Sequence, residues 1–228
     1  MIPLRDKNQS RTTPYVNYFI IGVCVLVFFY ELSLDDQLGQ FVETFAVVPA
    51  NVALMAKGQA LLLPAAMPLV TSMFLHGGWM HLLGNMLYLY IFGDNVEDRL
   101  GHGMYGLFYL VCGGGSAVVQ VLSNPGSHVP LLGASGAIAG VLGAYFLLFP
   151  RARILTLIPL VIFFPVVEVP AFFFLGFWFV LQLIQAGFSG SADGAGGGVA
   201  WWAHLGGFVV GAVMLLSILL TRRIRKWR

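Results

Sequence analysis

The sequence predicts an all-α protein that crosses a membrane several times and forms a single domain over residues 1–228. Of its 228 residues, 58% are hydrophobic and only 10% are charged, and the mean hydropathy is +0.84. Soluble globular proteins carry about 25% charged residues, so this chain has more apolar surface than one water-soluble core can hide. Soluble enzymes, nucleic-acid-binding proteins and disordered tails are therefore excluded, and the net charge of +2 indicates no anionic partner.

Six segments are apolar enough to form membrane-spanning helices, each of which needs about 20 residues or somewhat fewer. The first apolar stretch is followed by ELSLDDQ and not by a cleavage site, which favours a retained helix over a signal peptide. Prolines and glycines divide the later apolar regions, and residues 154–167, with two prolines, are interpreted as an interfacial or re-entrant connection. The helices are expected over residues 14–31, 79–93, 104–122, 133–149, 169–186 and 201–220.

The basic residues predict the orientation of these helices. Cytoplasmic loops are enriched in lysine and arginine, and basic residues both precede the first predicted helix and follow the last, so both termini are expected in the cytoplasm. Two cytoplasmic termini require an even number of spans. With six spans, only Lys57 lies outside, and the other eleven basic residues are cytoplasmic: Arg5, Lys7, Arg11, Arg99, Arg151, Arg153, Arg222, Arg223, Arg225, Lys226 and Arg228.

Polar residues in three of the predicted spans point to chemistry, because such groups are costly inside a membrane. His81 and Asn85 lie one turn apart on the second helix, Ser135 lies near the start of the fourth, and His204 lies in the first turn of the sixth. All three helices enter from the outer side, so these groups share one depth. A serine becomes nucleophilic when an imidazole accepts its proton, and helix-start amides together with His81 and Asn85 offer donors for an oxyanion.

Glycine spacing predicts how the serine and a histidine meet. The fourth helix carries Gly136 and Gly140, and the sixth carries Gly207 and Gly211, so both have small residues four apart. This spacing allows two helices to approach closely within lipid. Cys24 and Cys112 lie inside apolar runs, which indicates neither a disulfide framework nor a cysteine-based zinc site.

Each of these features also has a structural interpretation. A serine in a glycine-rich helix is usually a packing residue, and His81 and Asn85 suit hydrogen bonds between helices. His76 is expected to be structural, and His128 and His102 are poorly placed for the site. Spacing alone leaves open whether His81 or His204 is the base. The combination of these residues on one side of the membrane favours a nucleophilic site.

Three segments resemble the signature regions of the rhomboid intramembrane serine proteases. They are HGGWMHLLGNMLYLYIFGDNVEDRLG (76–101), GASGAIAGVLGAY (133–145) and AHLGGFVVG (203–211). The resemblance implies the basic six-helix bacterial form of the family, with Ser135 as nucleophile and His204 as general base. It also implies an oxyanion hole from His81, Asn85 and the Ser135 amide, shaped by Gly133. Gly136, Gly140, Gly207 and Gly211 match helix-packing positions, and Glu97 and Arg99 match a structural motif after the second helix.

The sequence departs from the family pattern at two points. The Trp-Arg pair that some members carry in the first loop is absent, and Ala139 replaces a tyrosine that stacks on the base histidine in some members. What orients the His204 ring is therefore open. Loops 1 and 5 and the fifth helix are hypothetical gates for substrate entry.

The resemblance implies single-pass membrane proteins as substrates, cut in or near their membrane helix, usually after a small residue. It implies neither a metal nor a cofactor, and the partners expected are these substrates and the lipid bilayer. The compact form and basic termini indicate a bacterial inner membrane, with the site towards the extracytoplasmic side. One alternative is a transporter or channel, but the sequence shows no inverted repeat of the kind common in transporters. The other is an inactive relative that only binds membrane clients, but such a protein would usually lack Ser135 or His204.

Overall fold

The structure, a computed structural model, describes residues 1–59, 61–62, 66–160, 162–189 and 199–221. It is mostly helical, and the basic residues expected after the last helix, at 222–228, lie outside the described residues. Among the described residues the long helices are α1 (Tyr15–Leu32), α2 (Trp79–Leu100), α3 (His102–Ser123), α4 (Ser135–Leu148), α5 (Ala171–Ser189) and α6 (Trp201–Leu220).

Four of these helices, α1, α3, α5 and α6, are long and apolar enough to cross a membrane. Helix α4 is apolar but has only 14 residues. Helix α2 has 22 residues, and its second half carries Asp94, Glu97, Asp98 and Arg99. The chain is therefore a membrane protein by helix length and composition, and the count of six spans stays a prediction.

Helix α2 continues to Leu100, seven residues beyond the predicted end at residue 93, because its charged second half is hydrogen-bonded to the start of α1. The buried Glu97 carboxylate accepts hydrogen bonds from the backbone N–H groups of Val16 (3.0 Å) and Asn17 (2.7 Å). First-turn amides have no partner within their own helix, so a carboxylate from another helix caps α1 here. Asp98 accepts two further bonds, from the backbone and the hydroxyl of Thr12.

A small antiparallel sheet corrects the all-α prediction. Its strands β1 (Ile2–Asp6), β2 (Arg153–Leu157) and β3 (Val166–Pro170) lie in the order β1-β2-β3. Prolines at 159 and 165 prevent a helix between α4 and α5, and the β-branched and aliphatic residues around them favour strands. Lys7, the residue after β1, also forms an ion pair with Glu168 of β3 (2.5 Å). The segment interpreted as an interfacial or re-entrant connection is this hairpin.

Helix α4 is the centre of the bundle, and most of its residues are buried. It packs mainly against α6 and α3, and also against α2. The contact with α6 leaves no room for side chains: a Cβ on Gly207 would collide with the carbonyl oxygen of Gly136, and one on Gly211 would lie 2.6 Å from Cα of Gly140. The four glycines therefore face one another across the α4–α6 contact.

The chain between α1 and α2 contains short helices at Leu38–Phe45, Pro49–Ala56 and Pro68–Thr71. A β-bridge between Val47 and Leu131 joins this segment to the loop before α4. Cys24 and Cys112 are both buried free thiols. Because strand β2 follows the C-terminal end of α4, the start of α4 lies at the end of the bundle opposite the sheet.

Candidate active site

Ser135 and His204 form the centre of the site. Ser135 is the first residue of α4, and His204 lies in the first turn of α6. Oγ of Ser135 and Nε2 of His204 are 2.8 Å apart, the distance of an ordinary hydrogen bond. The glycine contact one turn below brings the two helices close enough for this bond. The arrangement has the geometry needed for an imidazole to accept the proton of an attacking serine.

Gln182 of α5 supplies a contact to His204 that sequence reasoning missed. Its Oε1 lies 2.6 Å from Nδ1 of His204, and the side chain is 6% exposed. Two indoles flank the same ring, Trp178 and Trp201, each with its ring centroid 6.0 Å from that of the imidazole. The available signal was the presence of two glutamines, Gln182 and Gln185, in the otherwise apolar run of α5, since polar residues in membrane helices are rare and usually have a role.

His81 and Asn85 of α2 reach the same place from the other side. A Cβ on Gly133 would lie 2.6 Å from Cε1 of His81 and 3.7 Å from Nδ2 of Asn85. Gly133 also has a φ of +119°, which a residue with a side chain rarely adopts. Its own N–H donates to the carbonyl oxygen of Ser72 (2.8 Å). Gly133 therefore shapes the space between Ser135 and the two α2 side chains, while its own N–H is occupied by the carbonyl oxygen of Ser72.

Asn85 presents a donor without a partner. Its Nδ2 is buried and makes no hydrogen bond to any described residue. A buried polar group left unpaired costs about 1–3 kcal/mol, so such a group calls for an explanation. At the start of α4, next to amides that have no intrahelical partner, this donor suits a negative charge that forms only during a reaction.

The other histidines lie in different surroundings. His76 is buried beside the site, with its ring centroid 5.3 Å from that of His81, and its backbone N–H donates to the carboxylate of Glu31 (3.1 Å). Burial lowers the pKa of His76 to about 4, so its ring is neutral at pH 7. His102 contacts Glu97 at the opposite end of α2, and His128 is exposed in a loop.

No three His, Cys, Asp or Glu side chains within the described parts of the chain come close enough to hold a metal ion.

The fold and the site together define a class: a helical membrane protein with a serine–histidine pair at the end of a buried central helix. Comparison with known families gives a match to the Rhomboid domain over residues 64–221, well over half of the chain. The protein belongs to the rhomboid family, and the resemblance read from the sequence is confirmed.

Individual relatives cover parts of the chain. The chain is 33% identical over 149 residues to the rhomboid protease GluP of Bacillus subtilis, and the aligned region covers 62% of this chain and 27% of GluP. It is 31% identical over 149 residues to the mitochondrial rhomboid protein 1 of Saccharomyces cerevisiae, with 64% and 40% covered. RHOMBOID-like protein 5 of Arabidopsis thaliana is 37% identical over 76 residues, with 33% and 25% covered. The chain thus spans well under half the length of these relatives.

Proposed function

We propose that this protein is an intramembrane serine endopeptidase that cleaves single-pass membrane proteins in or near their membrane helix. The observation that carries the proposal is the 2.8 Å contact between Oγ of Ser135 and Nε2 of His204 at the start of α4. Membership of the rhomboid family and the similarity to a protein named as a rhomboid protease support it.

In the first half of the reaction, Oγ of Ser135 attacks the carbonyl carbon of the scissile peptide and its proton passes to Nε2 of His204. The carbonyl oxygen becomes an oxyanion, which the amide of Asn85, the ring of His81 and the backbone N–H of Ser135 stabilise. Removing one such donor typically costs about 10²–10³ in turnover. The protonated His204 then gives its proton to the departing amine, the C–N bond breaks, and an acyl-enzyme on Ser135 remains.

In the second half, a water molecule attacks the acyl-enzyme while His204 takes one of its protons. The second tetrahedral intermediate collapses, the proton returns to Oγ of Ser135, and the new carboxyl terminus leaves. No metal or cofactor takes part in either half. The water has to enter from the side of the membrane at which α4 begins, and this side is proposed to be extracytoplasmic.

The orientation in the membrane belongs to the same proposal. Helices α1 to α6 cross the bilayer six times, both termini lie in the cytoplasm, and the membrane is a bacterial inner membrane. The short α4 is surrounded by other helices, so it need not match the full thickness of the lipid. Substrates are cut after small residues where their helix unwinds easily, because a helical peptide bond keeps its carbonyl hydrogen-bonded.

The test is cleavage of a single-pass membrane protein in liposomes that contain the purified protein, with the products identified by mass spectrometry. The substrate carries an Ala-Gly sequence near one end of its membrane helix. We expect one cut within or beside that helix by the wild type and none by Ser135→Ala. An intact substrate that nonetheless co-purifies with both proteins would support the client-binding alternative, and solute flux unaffected by Ser135→Ala would support a transporter.

A further inference from the structure

Helix α5 contributes Gln182, whose side chain contacts the imidazole ring of His204. The imidazole of His204 has two nitrogens, and Nε2 accepts a proton from Ser135 only when Nδ1 carries the ring proton. Oε1 of Gln182 lies 2.6 Å from Nδ1, and an amide oxygen can only accept a hydrogen bond. The contact therefore selects the tautomer with Nδ1–H and leaves Nε2 free to accept from Ser135.

We infer that Gln182 is the positioning residue for His204. Its hydrogen bond takes the place of the aromatic stacking that Ala139, which has no ring, cannot provide. This inference rests on the proposed function of His204 as the base. Ala139 is buried against Gly207 in the α4–α6 contact and has no aromatic surface. Gln182 and Trp178 lie four residues apart on one face of α5, and both contact the His204 ring.

The hydrogen bond gains strength as the reaction proceeds. When His204 takes the serine proton it becomes a cation, and a hydrogen bond from a charged donor is about twice as strong as a neutral one. Gln182 therefore stabilises the transition state more than the resting enzyme, so its loss lowers kcat more than it raises KM. Because Gln182 is on α5, which packs mainly on α6, the base is fully oriented only while these two helices are together.

The test compares two substitutions of similar shape. Gln182→Met keeps the length of the side chain but removes the amide oxygen, whereas Gln182→Glu keeps an oxygen at the same place. We expect Gln182→Met to lower kcat for substrate cleavage by about 10- to 100-fold with KM changed less than threefold, and Gln182→Glu to recover most of the loss. The matched control is Gln120→Met, which removes a glutamine oxygen that accepts from the backbone of Ala203 and does not contact the ring.

A second measurement does not depend on activity. The ¹⁵N spectrum of histidine-labelled protein reports which ring nitrogen is protonated, and His204→Ala identifies the signal among the five histidines. We expect protonated Nδ1 in the wild type and in Gln182→Glu, and a mixture of tautomers in Gln182→Met. An unchanged tautomer in Gln182→Met, or equal losses of kcat in all three variants, would overturn the role of Gln182. A wild type that holds Nδ1–H but cleaves nothing would instead count against the proposed function.

The tip of the β2–β3 hairpin, described at residues 158–160 and 162–165, lies at the end of the bundle opposite Ser135 and exposes apolar side chains. Ile162, Phe163 and Phe164 are 92%, 65% and 57% exposed. Three backbone hydrogen bonds join its described residues: Ile158 N–H donates to the carbonyl of Pro165 (3.0 Å), and Leu160 and Phe163 each donate an N–H to the other's carbonyl. A lipid environment tolerates exposed apolar side chains where the backbone polar groups are hydrogen-bonded within the hairpin.

We further propose that this tip inserts into the bilayer leaflet at the end of α4 away from Ser135. Residues 154–167 carry no charge, and exposed Arg151 and Arg153 stand at the root of the hairpin, where anionic lipid headgroups would meet them. Strand β3 runs directly into α5, whose first turn exposes Phe172 and Phe173. The apolar surface of the tip is thus continuous with that of a membrane-spanning helix.

The test places a spin label at Ile162→Cys in liposomes of three parts phosphatidylcholine to one part phosphatidylglycerol. The native Cys24 and Cys112 are buried, and a label at Gln9→Cys, exposed just after β1, is the control. We expect the tip label to be more accessible to oxygen than to a water-soluble nickel chelate, and the control label to show the reverse. Nickel access at the tip would overturn the proposal, and so would dipolar coupling between two labels, which would show a second copy covering the hairpin.

Discussion

Replacing Gly207 with alanine tests whether the approach of α4 to α6 keeps Ser135 and His204 together. The added Cβ would lie 3.0 Å from the carbonyl carbon of Gly136, closer still to its oxygen, and 3.3 Å from Cβ of Ala139. Non-bonded carbons rest at about 3.5–4.0 Å, and the obstacle is backbone, which has no other rotamer. The carbonyl oxygen is the nearest obstacle, so the two helices must separate locally by about 1 Å or more.

This displacement is passed directly to the site. Gly136 follows Ser135 in the chain, and Gly207 lies about one turn after His204. The 2.8 Å contact between Oγ and Nε2 would lengthen to about 3.8 Å or more, beyond the limit of a hydrogen bond. General-base assistance contributes about 10²–10⁴ in rate, so we expect labelling by a fluorescent fluorophosphonate to slow by about 100-fold or more.

The assay is the rate of labelling of purified protein in detergent, with thermal unfolding measured on the same samples. Gly114→Ala is the control, because this glycine lies in helix α3 and a Cβ on it meets no atom within 4 Å. We expect the control to label within about twofold of the wild type and to be slightly more stable, since alanine favours helix by about 1 kcal/mol. A folded Gly207→Ala protein that labels at the wild-type rate would refute the reasoning.

Three further changes test other parts of the account. Asn85→Ala removes an oxyanion donor, so kcat for substrate cleavage should fall about 10²–10³-fold with little change in KM, and an unchanged kcat would remove Asn85 from the hole. Burial raises the pKa of the Asp6 carboxyl to about 7, so the folded state keeps a proton that the unfolded chain loses near pH 4. The free energy of unfolding should therefore fall as the pH rises from about 4 to about 7. Thermal unfolding across this range should show that decline in the wild type and lose it in Asp6→Asn. Glu97→Gln weakens the cap on α1 and should lower the free energy of unfolding by about 1–3 kcal/mol, whereas unfolding at the wild-type temperature would show that the cap contributes little.

Short sequence segments predicted the residues of the site because each motif lies within one or two helical turns. The spacing of His81 and Asn85 places both on one face of α2, and the turn residues before Ser135 mark the start of α4. The structure brings these side chains and His204 to one place. The catalytic roles of these residues are proposed from this arrangement.

Features that depend on distant parts of the chain were not predicted. Strand β1 pairs with β2 across about 150 residues, and nothing in its five residues indicates that partner. The charged end of α2 stays helical because Glu97 meets amides of α1 some 80 residues earlier. Gln182 was overlooked because the rotation of α5 decides whether a glutamine faces lipid or His204, and an apolar run on nearly all sides carries no periodicity to fix that rotation.

The central claim is that His204 activates Ser135, and labelling with a fluorescent fluorophosphonate tests it most directly. Wild type, Ser135→Ala and His204→Ala are compared at equal concentration in one detergent, each with its thermal unfolding recorded. We predict a labelled band for the wild type and none for either variant, with all three proteins folded. A folded wild type that is not labelled, or a Ser135→Ala protein labelled as strongly as the wild type, would contradict the account.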